Sequence, residues 1–278
     1  MGLAIWWVFS GWSALALDSL INLRNQADIE GHRPLLIAHR GGVIRPDAPE
    51  CSQKAIRLAS ELGYAMVELD VQRSKDGIPV VFHDRNLEHA CGVSGRVDQY
   101  SGKELGSFTY KNTEERIVSL RAALAVCQAH QLGVMLDLKA GRDDERFLAR
   151  IKALITEYGL DKSTVCISGT AQARGVLSEV LFTPTEQAKK KVLNGETVNL
   201  EGTFWFGLPN QLTSLEVALF QQNGCLVLPA INTFRYPENN HFELAKKDIE
   251  RLMAAGVDGF QIDSIYSPLF EELVPSRP

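Results

Sequence analysis

The chain has 278 residues, of which 45% are hydrophobic and 23% are charged, together with 22 glycines and 11 prolines. This ordinary composition excludes wholesale disorder, collagen-like repeats and multi-span membrane architectures. With 29 Lys and Arg against 34 Asp and Glu, the formal net charge is −5, so we expect no nucleic-acid partner. The length fits one large barrel-type domain or two ordinary domains.

The most apolar stretch is Met1–Ala16, which contains three tryptophans and no charged side chain. It has the length and the small-residue ending of a secretory signal but lacks the usual preceding Lys or Arg. Asp18 ends the uncharged run short of the roughly 20 residues that a membrane-spanning helix needs. Export or membrane association through residues 1–23, an N-terminal helix packed on the domain, and the stub of a longer gene product are the open alternatives. Exported, membrane-associated and cytoplasmic locations therefore all stay open, and no pattern predicts an oligomeric state.

The five cysteines are dispersed, odd in number and without a C-x-x-C pair. They predict neither a disulfide framework nor a cysteine-based zinc site. We expect mostly buried or inert thiols, because a free cysteine behaves as a small hydrophobic residue.

Short apolar runs alternate with amphipathic runs from residue 35 onward, so we assign residues 1–34 to an apolar segment and linker and residues 35–278 to one domain. The predicted strands are Leu35–Ala38, Met66–Val71, Gly133–Leu138, Thr164–Ile167, Leu181–Thr183, Thr203–Phe206, Leu226–Leu228 and Gly259–Ile262. The predicted helices are Ser52–Leu62, Leu120–His130, Asp144–Tyr158, Glu186–Leu193 and Asn240–Ala255. This alternation indicates parallel strands joined by crossover helices. Eight strands predict a (β/α)8 barrel, with a doubly wound open sheet as the alternative.

One further strand, Val80–His83, follows the second strand too closely for a parallel crossover. The two strands are therefore predicted to form an antiparallel hairpin at the start of an insertion over about residues 72–118. With Ser74–Gly77 as the loop, Glu68 pairs with His83, and Glu68, Asp70 and His83 project from one face. A one-residue register slip would undo this arrangement.

Polar residues stand where several buried strands end, which is unusual for an apolar strand pattern. In a barrel, the carboxyl ends of the strands form the rim on which active sites are built. Four separate segments contribute to this pattern: His39 and Arg40, Glu68 and Asp70, His83 and Asp84, and Asp137 and Lys139.

Three carboxylates, those of Glu68, Asp70 and Asp137, would repel one another at this rim unless they take up protons or a cation. An all-oxygen site suits one divalent cation such as Mg²⁺ or Ca²⁺ better than Zn²⁺. Two histidines and two cationic side chains complete the set. This combination fits phosphate-ester cleavage, which needs positive charge on the phosphoryl oxygens, one proton acceptor and one proton donor.

These residues resemble the glycerophosphodiester phosphodiesterase family, over about residues 35 to 268. The resemblance is carried by Ala38-His39-Arg40-Gly41-Gly42, Ala48-Pro49-Glu50, Val67-Glu68-Leu69-Asp70-Val71-Gln72, Lys75-Asp76-Gly77, Val80-Val81-Phe82-His83-Asp84, Leu136-Asp137-Leu138-Lys139 and Gly256-Val257-Asp258-Gly259-Phe260-Gln261-Ile262-Asp263. It implies a TIM barrel with an insertion after the second strand.

The resemblance also implies an activity, which is the metal-dependent hydrolysis of a small-molecule glycerophosphodiester to glycerol 3-phosphate and an alcohol. In one proposed course, the neighbouring glycerol hydroxyl attacks phosphorus and water then opens the cyclic phosphate. The implied roles are an acid/base pair, phosphate-binding cations and metal ligands, assigned respectively to His39 and His83, to Arg40 and Lys139, and to Glu68, Asp70 and Asp137.

The chain departs from the family pattern at three places. Asp137 replaces the usual glutamate, and Cys51 replaces the asparagine of a proline-glutamate-asparagine-threonine motif. Pro229-Ala230-Ile231-Asn232 lacks the family's tryptophan, for which the added Phe234–Asn240 loop is a candidate replacement. Two alternatives stay open. The apolar Met1–Ala16 segment, docking at a bilayer, would suit a phospholipase D-like lipid phosphodiesterase on the same barrel, and the Asp137 and seventh-strand departures would suit a catalytically inactive binding homologue.

Overall fold

Parallel strands and surrounding helices alternate along the chain in the computed structural model, which describes residues 20–139, 144–167 and 169–273. The strands are β1 (Leu35–Ala38), β2 (Met66–Arg73), β3 (Pro79–Val81), β4 (Val118–Ser119), β5 (Gly133–Leu138), β6 (Thr164–Cys166), β7 (Leu181–Phe182), β8 (Phe204–Trp205), β9 (Leu226–Val227), β10 (Ala230–Ile231) and β11 (Gly259–Ile262). The helices are α1 (Gln26–Gly31), α2 (Gln53–Glu61), α3 (Glu88–Cys91), α4 (Gly102–Leu105), α5 (Leu120–Ala129), α6 (Glu145–Glu157), α7 (Ala171–Val176), α8 (Glu186–Leu193), α9 (Ser214–Gln222), α10 (His241–Ala254) and α11 (Ser267–Leu273).

The parallel strands close into a barrel. Seven of them form a continuous ladder in the order β10-β11-β1-β2-β5-β6-β7. A parallel bridge between Phe182 and Thr203 joins β7 to β8, and β8 pairs with β9. Pro229, which has no N–H group, separates β9 from β10, so these are two halves of one strand. The described residues thus form an eight-stranded barrel, which excludes the open-sheet alternative.

Side chains of successive strand residues point alternately into the barrel and outward under the helices. The inward positions at the amino ends of the strands are apolar and pack on one another, as Leu35 and Ile37 of β1 do with Met66 and Met135. Outward positions join the larger core under the helices, for example Leu36 and Val67. This alternation decides which residues reach the rim at the other end of the barrel.

Most of the larger helices begin directly after a residue whose side chain accepts a hydrogen bond from a first-turn backbone N–H. Each cap satisfies a backbone N–H group that would otherwise have no partner within its helix. The capping residues of α2, α5, α6, α7, α8 and α9 are Ser52, Ser119, Asp144, Thr170, Thr185 and Thr213.

The described part of the N-terminal segment closes the amino end of the barrel. Ile21 and Leu23 are buried in the inner core, and the backbone N–H of Leu23 donates to the carbonyl of Lys162. The apolar stretch Met1–Ala16 lies outside the described residues. Within the described ranges, no helix has the length and apolar character needed to cross a membrane.

Between β2 and β5 the chain forms β3, α3, α4 and β4, with a small core that includes Phe82, Leu87 and Leu105. Strand β3 pairs antiparallel with β2, as the short connection predicts, but the predicted register is wrong by one residue. Val71 pairs with Val81, and Arg73 pairs with Pro79. The loop therefore has five residues, because the backbone N–H of Ser74 donates to the carbonyl of Ile78 and closes it.

This register also corrects the prediction that Glu68, Asp70 and His83 share a face of the hairpin. Asp70 lies opposite Phe82, whose backbone N–H donates to the Asp70 carbonyl at 3.0 Å. Glu68 is therefore not opposite His83. The ladder ends at Val81, so contacts beyond the strand decide where the His83 side chain lies.

Gly42 sits in the turn after β1 with a φ of +135°, and an added Cβ would lie 2.1 Å from the Ala55 carbonyl oxygen. We expect Gly42→Ala to lower the free energy of unfolding by about 3 kcal/mol or more, since it combines backbone strain with a collision against backbone. Urea denaturation measures this loss. Gly31→Ala is the matched control, because an added Cβ there meets nothing within 4 Å, and an equal loss in both variants would contradict the explanation.

Candidate active site

The inward-facing columns of side chains turn from apolar to ionic at the carboxyl ends of the strands. In β2, Met66 is followed two residues later by Glu68 and then by Asp70, and in β5, Met135 is followed by Asp137. β1 continues into His39 and Arg40, and β11 continues into Asp263. Because neighbouring parallel strands end at the same edge, these groups meet on one rim.

Three carboxylates form the centre of this site. Glu68, Asp70 and Asp137 each offer an oxygen, and these oxygens all lie within 4.8 Å of one another. Glu68 and Asp70 are only 2% and 1% exposed. Burial, followed by the negative charges of Asp70 and Asp137, raises the pKa of Glu68 well above its ordinary value.

Lys139 partly balances this negative charge. Its Nζ lies 3.0 Å from an oxygen of Asp70 and 2.6 Å from an oxygen of Asp137. Burial opposes ionisation of the ammonium, but the two carboxylates raise the pKa of Lys139 above its ordinary value. One ammonium among three carboxylates still leaves an excess of negative charge. The oxygen donor set and this excess both fit a divalent cation held by Glu68, Asp70 and Asp137.

His39 is held in one orientation by Asp263. Its Nδ1 lies 2.5 Å from Asp263 Oδ1, and the other Asp263 oxygen accepts hydrogen bonds from the backbone N–H and hydroxyl of Thr233. Burial raises the pKa of Asp263, but the bonds from His39 and Thr233 outweigh it and lower that pKa below its ordinary value. An ionised Asp263 only accepts, so Nδ1 carries the proton and Nε2 is left for chemistry.

Arg40 connects β1 to the carboxylate cluster through a left-handed backbone conformation, with φ at 52°. Its backbone N–H donates to Glu68 Oε2 at 2.8 Å, and its guanidinium donates to Glu50 Oε2 at 2.9 Å. A left-handed arginine is uncommon and costs free energy, which the surrounding contacts must offset. The turn therefore fixes a cationic side chain beside the buried carboxylates.

His83 reaches the same rim from the insertion, although the hairpin register does not direct it there. The side-chain amide of Gln72 donates to the carbonyls of Phe82 and Asp84, at 2.7 Å each, and so holds the turn around His83. His83 Nδ1 lies 2.8 Å from an oxygen of Asp84. Glu50, His83 and Asp84 offer polar atoms within 4.8 Å of one another. Glu50 thus joins His83 to Arg40.

The structure places every residue that the sequence analysis selected at the carboxyl ends of the strands. Glu68, Asp70, Asp137 and Lys139 form the carboxylate cluster, Arg40, His83 and Asp84 lie around Glu50, and His39 contacts Asp263. The structure also adds Asp263, Glu50 and Gln72, to which the sequence analysis gave no role. Asp263 carries the same signal as His39, since it directly follows a buried strand. Glu50 and Gln72 have no such signal, because their positions depend on contacts between loops.

Cys51 lies beside the carboxylate cluster, fully buried and in a left-handed conformation with φ at 60°. Its thiol lies 3.7 Å from Asp70 Oδ2 and donates a weak hydrogen bond to it. Burial, followed by the charge of Asp70, raises the pKa of Cys51 well above its ordinary value, so the thiol stays protonated. Asparagine, which the family has here, tolerates this conformation better and donates more strongly.

Comparison with known proteins gives a consistent result. Residues 39–148 match the model of the glycerophosphoryl diester phosphodiesterase family. A glycerophosphodiester phosphodiesterase 1 from Mus musculus is 32% identical over 171 residues, which are 58% of this chain and 48% of that protein. A glycerophosphodiester phosphodiesterase from Caldanaerobacter subterraneus is 27% identical over 255 residues, covering 83% of this chain and 94% of that protein. The chain thus spans about half of the length of the Mus musculus relative.

Solved structures share the fold. A glycerophosphoryl diester phosphodiesterase from Parabacteroides distasonis superposes with a TM-score of 0.69 at 20% identity, covering 93% of this chain and 95% of that one. An Oleispira antarctica phosphodiesterase in complex with the product sn-glycerol-3-phosphate has a TM-score of 0.66 at 20% identity, covering 87% and 99% of the two chains. These likenesses support the TIM barrel read from the strand pairing.

The raised pKa of Glu68 predicts a pH dependence of stability in metal-free protein. A carboxyl group with a raised folded-state pKa favours folding most below its ordinary pKa, near 4.5, and this contribution is lost as the pH rises through the folded-state value. We expect Glu68→Gln to flatten the loss of stability between acidic and neutral pH, measured by urea denaturation with chelator present. Glu196→Gln, at an exposed site, is the control. Identical pH profiles for Glu68→Gln and the unmodified protein would contradict the prediction.

Proposed function

Since this chain belongs to the glycerophosphodiester phosphodiesterase family, we propose that it hydrolyses glycerophosphodiesters to glycerol 3-phosphate and an alcohol. The observation that carries this proposal is the meeting of the His39–Asp263 pair with the Glu68, Asp70 and Asp137 carboxylates on one barrel rim. Proton transfer and charge stabilisation, which phosphodiester cleavage needs together, are thus available at one place.

His39 and His83 are proposed as the acid/base pair. The bond from Nδ1 to Asp263 leaves Nε2 of His39 free to take a proton from an attacking oxygen or to give one to the leaving oxygen. His83 makes the comparable contact with Asp84 through Nδ1. The two side chains are 12% and 23% exposed, so both remain accessible to a small substrate.

Arg40 and Lys139 are proposed to bind the phosphoryl oxygens. Both are held by carboxylates that fix the position of their charge, which lowers the cost of ordering them around a substrate. Their positive charges compensate the negative charge that builds on the phosphoryl oxygens during cleavage.

Glu68, Asp70 and Asp137 are proposed to hold one divalent cation, either Mg²⁺ or Ca²⁺, as the oxygen donors favour. When bound, this cation supplies further positive charge for the phosphoryl oxygens. Asp137 is less buried than Glu68 and Asp70 and is shorter than the family's glutamate, and Lys139 already contacts it.

In the proposed course, the glycerol hydroxyl next to the phosphate attacks phosphorus while one histidine takes its proton. The bond between phosphorus and the alcohol oxygen breaks, and the other histidine protonates that oxygen. Water then opens the cyclic phosphate with the two roles exchanged. Each histidine therefore both gives and takes a proton in one turnover.

Replacing either histidine tests the acid/base roles. We expect His39→Ala and His83→Ala each to lower kcat by roughly 10²–10⁴-fold for release of glycerol 3-phosphate, which is the usual effect of a general acid or base. His130→Ala is the control, because His130 lies just before β5, at the opposite end of the barrel. Full turnover by either site variant would remove that histidine from the mechanism, and no product from any glycerophosphodiester would refute the proposed activity.

Asp263 is proposed as a positioning residue that acts through His39. We expect Asp263→Asn to lower kcat by roughly 10²-fold with little change in KM, because the bond that fixes the His39 ring is lost. The double variant with His39→Ala should lose no more activity than His39→Ala alone, since both changes remove the same function. Additive losses in the double variant would show that Asp263 acts independently of His39.

Removal of the cation tests the proposed metal site. We expect chelator to abolish activity and added Mg²⁺ or Ca²⁺ to restore it. Asp70→Asn should weaken calorimetric binding of the cation by roughly tenfold or more, the scale on which losing even an indirect contact to a metal reduces affinity. Asp98→Asn, an exposed aspartate paired with Arg96 in the insertion, is the control. Unchanged binding by Asp70→Asn would place the cation elsewhere.

A further inference from the structure

Two histidines and two carboxylates lie close together where the insertion meets the loop before α2. Glu50, His83 and Asp84 offer ligand atoms within 4.8 Å of one another. His83 Nδ1 lies 2.8 Å from Asp84 Oδ1, and His89 Nδ1 lies 4.0 Å from Asp84 Oδ2. Asp84 therefore directs one oxygen toward each ring. The four residues come from the loop before α2, the turn after β3 and helix α3, so the fold and not one local motif assembles them.

This group differs in chemistry from the three inner carboxylates. Glu68, Asp70 and Asp137 offer only oxygen, which suits Mg²⁺ or Ca²⁺. Two imidazole nitrogens together with carboxylate oxygens suit Zn²⁺ and similar transition metals, which Mg²⁺ does not match because it favours oxygen ligands and keeps much of its water. The two groups are therefore expected to select different metals.

The spacing of the ligand atoms fits a small tetrahedral ion. Atoms about 2.0–2.1 Å from a tetrahedral zinc lie roughly 3.3 Å from one another. The distances of 2.8 Å and 4.0 Å from Asp84 to the two rings bracket this value. The longer distance can shorten because the His89 side chain is 93% exposed, so packing does not hold it in place.

Charge and access also fit a divalent ion. Glu50 and Asp84 carry two negative charges between them, which two neutral imidazoles do not balance. Arg40 contacts Oε2 of Glu50, and a carboxylate has a second oxygen that a metal can use. The side chains of Glu50 and Asp84 are 21% and 37% exposed, so an ion can reach them from solvent.

We propose that Glu50, His83, Asp84 and His89 form a second metal site, which binds Zn²⁺ or a similar transition metal and inhibits the enzyme. The binding part of this inference stands on the geometry of these four residues. The inhibitory part rests on the proposed function, in which His83 both takes and gives a proton.

The inhibition follows from the two nitrogens of the His83 ring. A metal on Nδ1 uses the lone pair of that nitrogen, so the single proton of the neutral ring lies on Nε2. Nε2 can then donate a proton but has no lone pair with which to accept one. Because the proposed course needs both steps from each histidine, metal binding at Nδ1 stops turnover while the cation at Glu68, Asp70 and Asp137 stays in place.

Replacement of Mg²⁺ by zinc at the inner carboxylates is the other route by which zinc could inhibit. That effect would fade when Mg²⁺ is in large excess, and it would not depend on His89, whose contact is with Asp84. Excess Mg²⁺ and a His89 variant therefore separate the two sites.

Calorimetry tests the site without turnover. Zn²⁺ is titrated into the full chain in the presence of a large excess of Mg²⁺. We expect His89→Ala to weaken zinc binding by roughly tenfold or more, since even the loss of an indirect contact to a metal lowers affinity on this scale. His130→Ala, which removes an imidazole at the opposite end of the barrel, is the matched control. Absence of zinc binding, or equal affinity in His89→Ala and the unmodified protein, would overturn the site.

Zinc inhibition tests the consequence for catalysis. At saturating Mg²⁺, we expect Zn²⁺ to inhibit release of glycerol 3-phosphate, and His89→Ala to need at least roughly tenfold more zinc for half inhibition. Without zinc, the kcat of His89→Ala should equal that of the unmodified protein, because His89 lies outside the proposed acid/base pair. Equal zinc sensitivity of both proteins, or full turnover with zinc bound, would overturn the inhibitory role.

The two measurements also separate this inference from the proposed function. Zinc binding that depends on His89, together with no turnover of any glycerophosphodiester, would refute the activity and keep the metal site. Turnover without zinc binding that depends on His89 would refute the metal site and keep the activity.

Discussion

The two-residue alternation of side chains along the strands of a closed barrel is the constraint on which the rest of this structure depends. It sends Met66, Glu68 and Asp70 inward in one column and Met135 and Asp137 inward in the next. The lower members pack as an apolar core, and the upper members meet as carboxylates at the rim. A single residue inserted before Glu68 would turn both carboxylates outward under the helices, where no cation or substrate could reach them.

Several charged side chains lie at the rim although burial makes their ionised forms unfavourable, because cations and carboxylates lie next to one another there. Lys139 and Arg40 stand among Glu68, Asp70 and Glu50. The carboxylates hold the two cations in place and leave negative charge that a divalent cation can balance. In the proposed function, a phosphodiester would meet this fixed positive charge locally, although the net charge of −5 discourages a polyanion.

Loops determine the positions of the two histidine side chains, which the strands do not fix. His83 depends on the Gln72 amide that holds its turn, and His39 depends on Asp263, which a turn around Thr233 holds in place. The same loops expose apolar side chains beside His39. Strand ends thus carry the carboxylates, whereas loops hold the turns around the two histidines and expose the apolar side chains. Loop substitutions can therefore change the surroundings of the histidines without moving the carboxylates.

The sequence by itself determined the alternation of strands and helices, the barrel and the residues at the strand ends, because periodic burial and polar strand endings are local patterns. The predicted hairpin register was wrong by one residue. The backbone hydrogen bond between Ser74 and Ile78, which closes the loop, leaves no signal in composition or spacing. Only the tertiary structure decided that Asp263 contacts His39, that Glu50 contacts Arg40 and that Ile44, Phe234 and Ile265 line one groove. Such contacts join residues up to 224 positions apart, and no local pattern encodes which distant loops the closing of a barrel brings together.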